Sequence, residues 1–542
     1  MRMSRRGALK SASVLAGAGL LGCTGAEGGS DGGTAHDSAV PGTDARVGRD
    51  AGPPPTGPFQ HGVASGDPLV DRVILWTRIS EASGAVMVTW EIASDPGFTS
   101  IVASGEATTD AERDYTVKVD ASGLGAGTTY YYRFRLGDDE SPIGRTRTAP
   151  SGPTARLRAV VCSCSSYSHG YFHLYRDVAQ RADLDLVIHL GDYIYEYGNG
   201  TFGGFRELDP PNECVSLSDY RRRYAHYRTD RDLQEAHRQH PFVCVWDDHE
   251  TCNDAWREGG QNHMPDTEGS YAERQAAAAR AYREWLPIRE STEADRRIYR
   301  TLPMGDLAEL VMLDTRIIGR DESATGVDDP TLASETRQLL GEAQEAWLRD
   351  TLVASTARWK LLGQQVMMGQ LPSIPNMDAW DGFPAQRARI LSFIEERGIE
   401  DVVVLTGDIH CSWALEVAAD PFDATAYDPE TGRGALAVEV VCPGIGSPSI
   451  LALAGRALER QVAEECPHVK WMELYDFGYA LLDITHERVQ AAWYLTGETR
   501  DPEGADIRMA AAFSVATGTA HLVPDEAAAS PPASPPELAP QA

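Results

Sequence analysis

Residues 187–195 read Val-Ile-His-Leu-Gly-Asp-Tyr-Ile-Tyr. The apolar run that begins at Val187 is flanked by helical segments, which is typical of a buried parallel strand. Gly191 lets the backbone turn sharply where the strand ends, so that Asp192 projects at the edge of the sheet. In open α/β sheets, functional side chains gather just past the carboxyl ends of the strands. This stretch therefore predicts an α/β fold with a functional site around Asp192.

Three other apolar runs end in the same way. They are Val161-Cys162-Ser163-Cys164, Val243-Cys244-Val245-Trp246-Asp247-Asp248-His249-Glu250 and Val402-Val403-Val404-Leu405-Thr406-Gly407-Asp408-Ile409-His410. The four strand ends together deliver a thiol, a phenol, carboxylates and imidazoles. Such a set can hold metal ions, so the sequence predicts a hydrolytic centre with more than one metal.

Each motif alone also fits a purely structural role. Cys164 fits a buried thiol, Tyr195 a packed aromatic ring, and Asp248-His249-Glu250 the capped start of a helix. Four such motifs at strand ends in one chain favour the metal site over these separate structural roles.

The types of ligand divide the predicted centre into two halves. A phenol binds metal at neutral pH only where a cation stabilises its deprotonated form, and phenolate with thiolate suits ferric iron better than zinc or calcium. Carboxylates alone prefer a harder cation such as Ca²⁺ or Mg²⁺. We expect Asp192 to bridge the two halves. The predicted iron ligands are Cys164, Asp192, Tyr195 and His410, and the predicted hard-cation ligands are Asp192, Asp248 and Asp408.

Length and composition limit the classes to which the protein can belong. A chain of 542 residues is too long for one ordinary core, so two or more domains are expected. Hydrophobic residues make up 42% and charged residues 24%, which is normal for a soluble globular protein. The formal net charge of −31 argues against a nucleic-acid-binding surface, because phosphate backbones require basic patches.

Residues 1–23 are predicted to be a targeting signal. Ser4-Arg5-Arg6-Gly7-Ala8-Leu9-Lys10 resembles a twin-arginine export signal, and the apolar stretch from Ala12 to Leu21 is too short to span a membrane. Leu20-Leu21-Gly22-Cys23 resembles a bacterial lipobox, so we expect export by the twin-arginine translocase and a lipid anchor on Cys23. Cleavage by the ordinary signal peptidase is the alternative. The predicted location is the periplasm or the cell surface of a bacterium, with membrane attachment through the lipid only.

The rest of the chain divides by composition and pattern. Residues 24–57, rich in Gly, Asp, Ala and Pro, predict a flexible linker, and residues 524–542 predict a disordered tail. Short alternating strands over residues 58–150 predict a β-sandwich of fibronectin or immunoglobulin type. Strand and helix patterns alternate over residues 156–500, which predicts an α/β catalytic domain. The predicted helices span residues 217–239, 270–286, 336–354 and 384–397.

Two groups of cysteines can be distinguished besides Cys23 and the proposed ligand Cys164. Those in apolar strand-like runs are predicted to be buried free thiols: Cys162, Cys244 and Cys442. Three others could pair in an oxidising compartment, with no connectivity assigned: Cys214, Cys252 and Cys466.

From about Phe59 to Trp493 the chain resembles the alkaline phosphatase D (PhoD) family of calcineurin-like metallophosphoesterases. The matching stretches are His61-Gly62-Val63-Ala64-Ser65-Gly66-Asp67-Pro68, Gly144-Arg145-Thr146-Arg147-Thr148-Ala149-Pro150, Gly191-Asp192-Tyr193-Ile194-Tyr195-Glu196, Trp246-Asp247-Asp248-His249-Glu250, Leu313-Asp314-Thr315-Arg316, Trp380-Asp381-Gly382-Phe383-Pro384 and Gly407-Asp408-Ile409-His410. The resemblance implies a β-sandwich followed by a metallophosphoesterase α/β sandwich core. It also implies Fe³⁺ and Ca²⁺ on the ligands named above, with Asn253 as a further calcium ligand. The chain departs from the family at Cys162, a second thiol, and at Cys252 and Asp254, which flank Asn253.

The expected function is that of a secreted, metal-dependent phosphatase, active on phosphomonoesters and phosphodiesters. A hydroxide or oxide activated by the cations attacks phosphorus, with Asp192 holding metal, His249 protonating the leaving oxygen and Arg316 neutralising phosphate charge. We expect a monomer. A phospholipase D-like diesterase is one alternative. The non-enzyme alternative is a surface adhesion lipoprotein, against which the intact set of carboxylates and His410 argues.

Overall fold

The structure is a computed structural model that describes residues 57–290 and 297–541. The predicted signal, the anchor residue Cys23 and the predicted linker up to residue 56 lie outside the described residues. Among the helices in these ranges, none combines the length and the apolar character that crossing a membrane requires.

The strands come in chain order. They are β1 (Val63–Gly66), β2 (Arg72–Arg78), β3 (Val86–Ala93), β4 (Ile101–Thr109), β5 (Thr116–Ser122), β6 (Thr129–Leu136), β7 (Asp139–Glu140), β8 (Gly144–Arg147), β9 (Leu157–Cys162), β10 (Leu186–His189), β11 (Pro241–Cys244), β12 (Arg300–Met304), β13 (Ala308–Met312), β14 (Trp359–Gly363), β15 (Val402–Thr406), β16 (Ser412–Ala418), β17 (Ala435–Val441), β18 (Val469–Glu473), β19 (Phe477–Ile484), β20 (Arg488–Thr496), β21 (Arg508–Ala516) and β22 (Leu522–Pro524).

Helices connect the strands of the larger part of the chain. The α-helices are α1 (His173–Ala179), α2 (Leu217–Tyr227), α3 (Arg231–Gln239), α4 (Pro265–Glu268), α5 (Tyr271–Trp285), α6 (Glu342–Ala354), α7 (Pro384–Arg397) and α8 (Gly455–Glu465). Short 3₁₀ turns span Ala111–Arg113, Tyr167–His169, Thr201–Gly203, Trp380–Gly382 and Leu451–Ala454.

Two large sheets form the centre of the fold, which is of the mixed α/β type predicted. Ten strands follow the order β22-β21-β20-β19-β9-β10-β11-β1-β2-β5, and seven follow β12-β13-β14-β15-β17-β16-β18. The strands β9-β10-β11 and β13-β14-β15-β17 run parallel within their sheets. Apolar side chains of both sheets, among them Val160, Ile188, Leu361 and Val403, belong to one buried cluster.

The carboxyl ends of the two parallel sets meet at one edge. An isolated parallel bridge joins Ser163, just after β9, to Gly444, just after β17. Because each parallel strand delivers its following loop to this edge, the four motifs of the sequence converge there.

Two predicted helices differ from the observed ones: one is divided in two, and the other begins later in the chain. The predicted helix 217–239 is divided because Asp230 accepts hydrogen bonds from the N–H groups of Asp232 and Leu233 and so caps a new helix, α3. The predicted helix 336–354 begins only at Glu342. The residue before it, Gly341, has φ 76° and approaches Gly319 so closely that an added Cβ would lie 2.8 Å from the Gly319 Cα.

The predicted self-contained β-sandwich over residues 58–150 is not confirmed. Strands β3, β4, β6, β7 and β8 form a separate five-stranded sheet, but β1, β2 and β5 belong to the ten-stranded sheet. The link is β1, which pairs in parallel with β11 through Ser65 opposite Pro241 and Gly66 opposite Phe242. The described residues 57–290 and 297–541 accordingly belong to one compact unit, because the backbone of this N-terminal segment continues the central sheet.

The C-terminal segment differs from the predicted disordered tail. Residues 525–541 run along the body of the protein without regular secondary structure, and their backbone groups are bound by side chains of distant elements. Gln239 donates to the carbonyl of Ala539 and accepts from its N–H, at 3.1 and 2.9 Å. Tyr131 donates to the carbonyl of Glu537 at 2.7 Å. Low hydrophobicity therefore does not leave this segment unfolded, because polar side chains of the body satisfy its backbone.

The cysteines of the described residues are all buried and free. The prediction of buried thiols at Cys162, Cys244 and Cys442 is confirmed. The three cysteines that the sequence left open to pairing are free as well: Cys214, Cys252 and Cys466.

Candidate metal centre

Strained backbone marks the loops at the shared edge. Cys164, Asp192, Asp408 and His410 all have positive φ, between 54° and 63°. Residues with a Cβ rarely adopt this left-handed conformation, and such strained residues cluster at active sites. All four are predicted metal ligands. Gly191 precedes Asp192 with φ 108°, and a Cβ on it would lie 2.4 Å from the Asp247 Cβ.

Glu250 ties two of these loops together. Its carboxylate accepts hydrogen bonds from the N–H groups of Asp192 at 3.0 Å, Tyr193 at 2.6 Å and Asp247 at 2.8 Å. The loop after β10 and the loop after β11 are therefore held against each other by a buried side chain.

The predicted iron ligands converge. Donor atoms of Cys164, Asp192 and His410 lie within 4.8 Å of one another. The Tyr195 hydroxyl donates to Asp192 Oδ2 at 2.9 Å and lies 3.0 Å from His410 Nε2. Ser447, in the loop after β17, donates to the same hydroxyl at 2.6 Å. One thiol, one phenol, one carboxylate and one imidazole thus share a small, mostly buried volume.

The thiol and the phenol need a cation to ionise in this place. Burial raises the pKa of Cys164 well above its usual value, and the Asp192 carboxylate adds to the effect. Burial likewise raises the pKa of Tyr195, with further contributions from Asp192 and Cys164. A bound cation reverses this preference because it stabilises the thiolate and the phenolate directly. The donor set therefore fits a metal ion.

A second set of donors adjoins the first. Donor atoms of Asp247, Asp248 and Asp408 lie within 4.8 Å of one another, and a further group of this kind joins Asp192, Asp248 and His249. Asp192 belongs to groups on both sides, so the structure brings it between the two halves. Burial raises the pKa of Asp408 to about 7, against the opposing effect of Arg316. Crowded buried carboxylates of this kind fit a hard cation.

Asp247 was missed as a candidate ligand. It is fully buried, and its Oδ2 has no hydrogen-bond partner among the described residues. Burial raises its pKa well above the usual value even though Arg316 opposes the shift. The signal was present in the sequence, since Asp247 is the first carboxylate after the β11 run and directly precedes Asp248.

His249 is held by a carboxylate that the sequence reasoning also missed. Its Nδ1 lies 2.8 Å from an oxygen of Glu196, which is fully buried. Its ring packs between Tyr195 and Tyr197, with centroid distances of 4.3 and 5.1 Å. Burial would lower the pKa of His249, but the charges of Asp248, Glu196 and Asp192 outweigh it and raise the pKa well above 6.5. Without a bound cation, the surrounding carboxylates therefore favour the protonated imidazole.

Two family models match the chain. A model of the PhoD-like phosphatases matches residues 159–493, and a model of their N-terminal domain matches residues 46–150. The chain belongs to the PhoD-like phosphatase family. The resemblance stated from the sequence is thereby confirmed, and the protein is an enzyme, a phosphatase of the hydrolase class.

Relatives of this PhoD-like phosphatase support the same conclusion. It is 37% identical over 486 residues to alkaline phosphatase D of Bacillus subtilis (strain 168), across 84% of this chain and 80% of that protein. A solved structure of PhoD matches with a TM-score of 0.79 and 34% identity, covering 87% of this chain and 93% of that one. A purple acid phosphatase from yellow lupin (Lupinus luteus) seeds matches with a TM-score of 0.54 and 12% identity, over 84% and 75% of the chains, which shows likeness of fold alone.

The family and the donor groups together imply a metal cofactor. Membership in a phosphatase family also favours an enzyme over the adhesion lipoprotein. Substrates of a phosphatase are phosphate esters.

Two further predicted site residues lie in the same region of the phosphatase. Arg316 is fully buried, and its guanidinium donates to Asp247, Asp378 and, at 2.8 Å, Asp408. The sequence placed it against the substrate, whereas the structure shows it engaged by carboxylates of the site. Asn253 follows the Asp248 loop, and its amide accepts from the Tyr197 hydroxyl at 2.7 Å.

Proposed function

We propose that this PhoD-like phosphatase hydrolyses phosphomonoesters and phosphodiesters in a pocket that holds Fe³⁺ and Ca²⁺. The convergence of the Cys164 thiol, the Tyr195 phenol and the His410 imidazole on Asp192 carries the proposal. Thiolate with phenolate suits ferric iron, and the adjoining carboxylates suit calcium. We propose Cys164, Asp192, Tyr195 and His410 as iron ligands, and Asp192, Asp248, Asn253 and Asp408 as calcium ligands.

The side chains of the pocket have separate tasks in the reaction. Bound cations would polarise the phosphoryl group and activate the attacking water. Asp192 would hold both halves of the centre. Because the attacking group is this water, no serine or cysteine nucleophile is needed. His249 protonates the leaving oxygen, with Glu196 fixing the orientation of its ring.

Arg316 supplies positive charge on the carboxylate side of the pocket. In our proposal it offsets phosphate charge there, while its bond to Asp408 keeps that carboxylate in place. A lysine carries the same charge but lacks the planar guanidinium group, so it could not donate hydrogen bonds to three carboxylates in the same way.

The cellular setting proposed from the sequence is unchanged. The protein is a monomer, is exported by the twin-arginine translocase and is held at a bacterial membrane by lipid on Cys23. It has no nucleic-acid-binding surface. The acidic net charge supports the last point.

Metal analysis combined with a substrate panel tests the function. Purified protein should contain iron and calcium and should cleave 4-nitrophenyl phosphate and bis(4-nitrophenyl) phosphate. Phosphatidylcholine in the same panel tests the phospholipase D-like alternative. Asp192→Asn should lose both metals and activity, whereas the matched control Asp95→Asn, in the turn after β3, should keep them. Full activity after removal of both metals would overturn the proposal.

A further inference from the structure

A glycine-rich loop follows the residues that hold His249. It spans residues 197–205 and reads Tyr-Gly-Asn-Gly-Thr-Phe-Gly-Gly-Phe. Phe202 lies at its tip with 73% of its surface exposed. Its backbone is left-handed, with φ 51° and ψ 24°, although four glycines nearby could take that conformation without strain. Backbone strain of this kind clusters at active sites and ligand clamps, so Phe202 is a candidate for contact with a ligand.

The ring of Phe202 continues a series of aromatic rings that begins in the pocket. Tyr195 packs against His249 at 4.3 Å, His249 against Tyr197 at 5.1 Å, and Tyr197 against Phe202 at 5.3 Å between centroids. We call these four rings the aromatic series. It leads from a proposed metal ligand, past the proposed acid, to the surface.

The loop is anchored although its tip is exposed. His169 donates from Nε2 to the Phe202 carbonyl at 3.3 Å, and its Nδ1 accepts from the Ser166 hydroxyl at 2.7 Å. Gly204 lies so close to Ser168 that an added Cβ would be 2.8 Å from the Ser168 Cβ. The backbone from the Phe202 carbonyl to Gly204 is therefore held against the turn at Tyr167–His169, which gives the exposed ring a defined place.

We propose that Phe202 forms the outer wall of a subsite for the organic group of the phosphate ester, with a preference for aromatic groups. The inference rests on the proposed function. Phosphate takes the metal-ligand end of the pocket, and its ester oxygen must face His249. The organic group then points along the aromatic series toward Tyr197 and Phe202. A ring placed there contacts Phe202 edge-to-face or offset, the geometries that aromatic pairs prefer.

A comparison of the affinities of two phosphonates tests this contact separately from the chemical step. Phenylphosphonate and methylphosphonate share the charged head and differ only in the organic group. Calorimetry on metal-loaded protein should show tighter binding of the phenyl compound. In Phe202→Ala the ratio of the two affinities should fall about 2- to 12-fold, the range for one aromatic pair, with methylphosphonate affinity unchanged. Phe202→Tyr should restore the ratio.

Phe422→Ala is the matched control. Phe422 is 43% exposed and follows β16, a strand that starts beside His410 and runs antiparallel to β17, away from the shared edge. Its variant should keep the wild-type ratio. The subsite is overturned if wild type shows no preference for the phenyl compound, if Phe202→Ala keeps that preference, or if it weakens both ligands equally. If the protein binds the phenyl compound selectively but cleaves no ester, the subsite is supported and the proposed function is contradicted. Failure of the subsite can therefore be told apart from failure of the proposed function.

Discussion

The Nδ1 atom of His249 lies 2.8 Å from the carboxylate of Glu196, a side chain with no exposure to solvent. This contact leaves Nε2 as the ring nitrogen that can face the cluster of Asp192 and Asp248. Glu196 is itself held, because its other oxygen accepts from the Asn253 N–H and from the Asn262 side chain, each at 2.8 Å. A carboxylate behind an imidazole fixes its orientation and supports its charged form.

Replacing Glu196 should therefore impair His249 without removing metal. We expect Glu196→Gln to lower kcat about 10- to 100-fold while iron and calcium contents stay at wild-type values. Steady-state kinetics with metal analysis on the same preparation checks this. Glu213→Gln is the control, since Glu213 also accepts from Asn262, at 3.0 Å, but lies outside the contact with His249. Loss of metal in Glu196→Gln would show that the residue supports the metal loops instead.

The acid role of His249 predicts a dependence on the leaving group. His249→Ala should keep its iron and lose about 100- to 10,000-fold in turnover of alkyl esters. The loss on nitrophenyl esters should be smaller, because a good leaving group needs less protonation in the transition state. Rates on both ester types with metal-replete protein decide the point. An equal loss would leave His249 with a role in positioning phosphate.

The phenol of Tyr195 predicts a spectroscopic signature. If Tyr195 binds ferric iron as the phenolate, purified protein should show a visible charge-transfer band, and Tyr195→Phe should lose most of it. Ser447→Ala removes the 2.6 Å hydrogen bond to the phenol oxygen and should shift the band while keeping it. Zinc at full occupancy with no iron would refute this half of the centre.

The crowded carboxylates predict how pH acts on protein stripped of metal. The pKa of Asp408 is raised from 3.8 to about 7, so the folded carboxyl keeps a proton that the unfolded chain releases. Stability contributed by this proton is present at low pH and is lost as the pH rises through about 4 to 7. Thermal unfolding of chelated protein should show this fall, Ca²⁺ should reverse it at pH 8, and Asp408→Asn should make it smaller, because burial also raises the pKa values of Asp247 and Glu250. Unchanged stability across the window would contradict the burial argument.

Anchoring by lipid predicts a change in cell fractionation. Cys23→Ala protein should move from the membrane to the soluble fraction, and labelling with radioactive palmitate should fail. Cys466→Ala, which removes a cysteine of the folded part, should stay with the membrane. Membrane association of Cys23→Ala equal to wild type would remove the anchor.

The site residues that could be predicted lie in short motifs, each confined to one stretch of sequence. Each strand-end motif carries its own apolar run and its own donors, so residues such as Cys164, Asp192 and His410 could be found without knowing how the loops meet. Glu196 escaped because its role comes from a contact across loops, whereas Asp247 could have been predicted, because it directly precedes Asp248 in the same motif. Glu196 meets His249 over 53 residues, and Arg316 meets Asp247 over 69.

The misjudged parts of the fold have the same origin. Local patterns identified the short strands of residues 58–150, but the parallel pairing of β1 with β11, which merges them into the central sheet, joins segments far apart in the chain. Composition likewise suggested a disordered tail, and nothing within residues 524–541 reveals the acceptor and donor groups that Tyr131 and Gln239 offer to it.

The packed C-terminal segment affects the order in which contacts can form while the chain is being synthesised. The hydrogen bond from Tyr131 to Glu537 spans 406 residues, and that from Gln239 to Ala539 spans 300. The partners on the C-terminal side are therefore synthesised long after the side chains that bind them. Tyr131 and Gln239 lack these partners until residues 537–539 have been made, and a chain that stalls before that point leaves both polar side chains without their backbone partners.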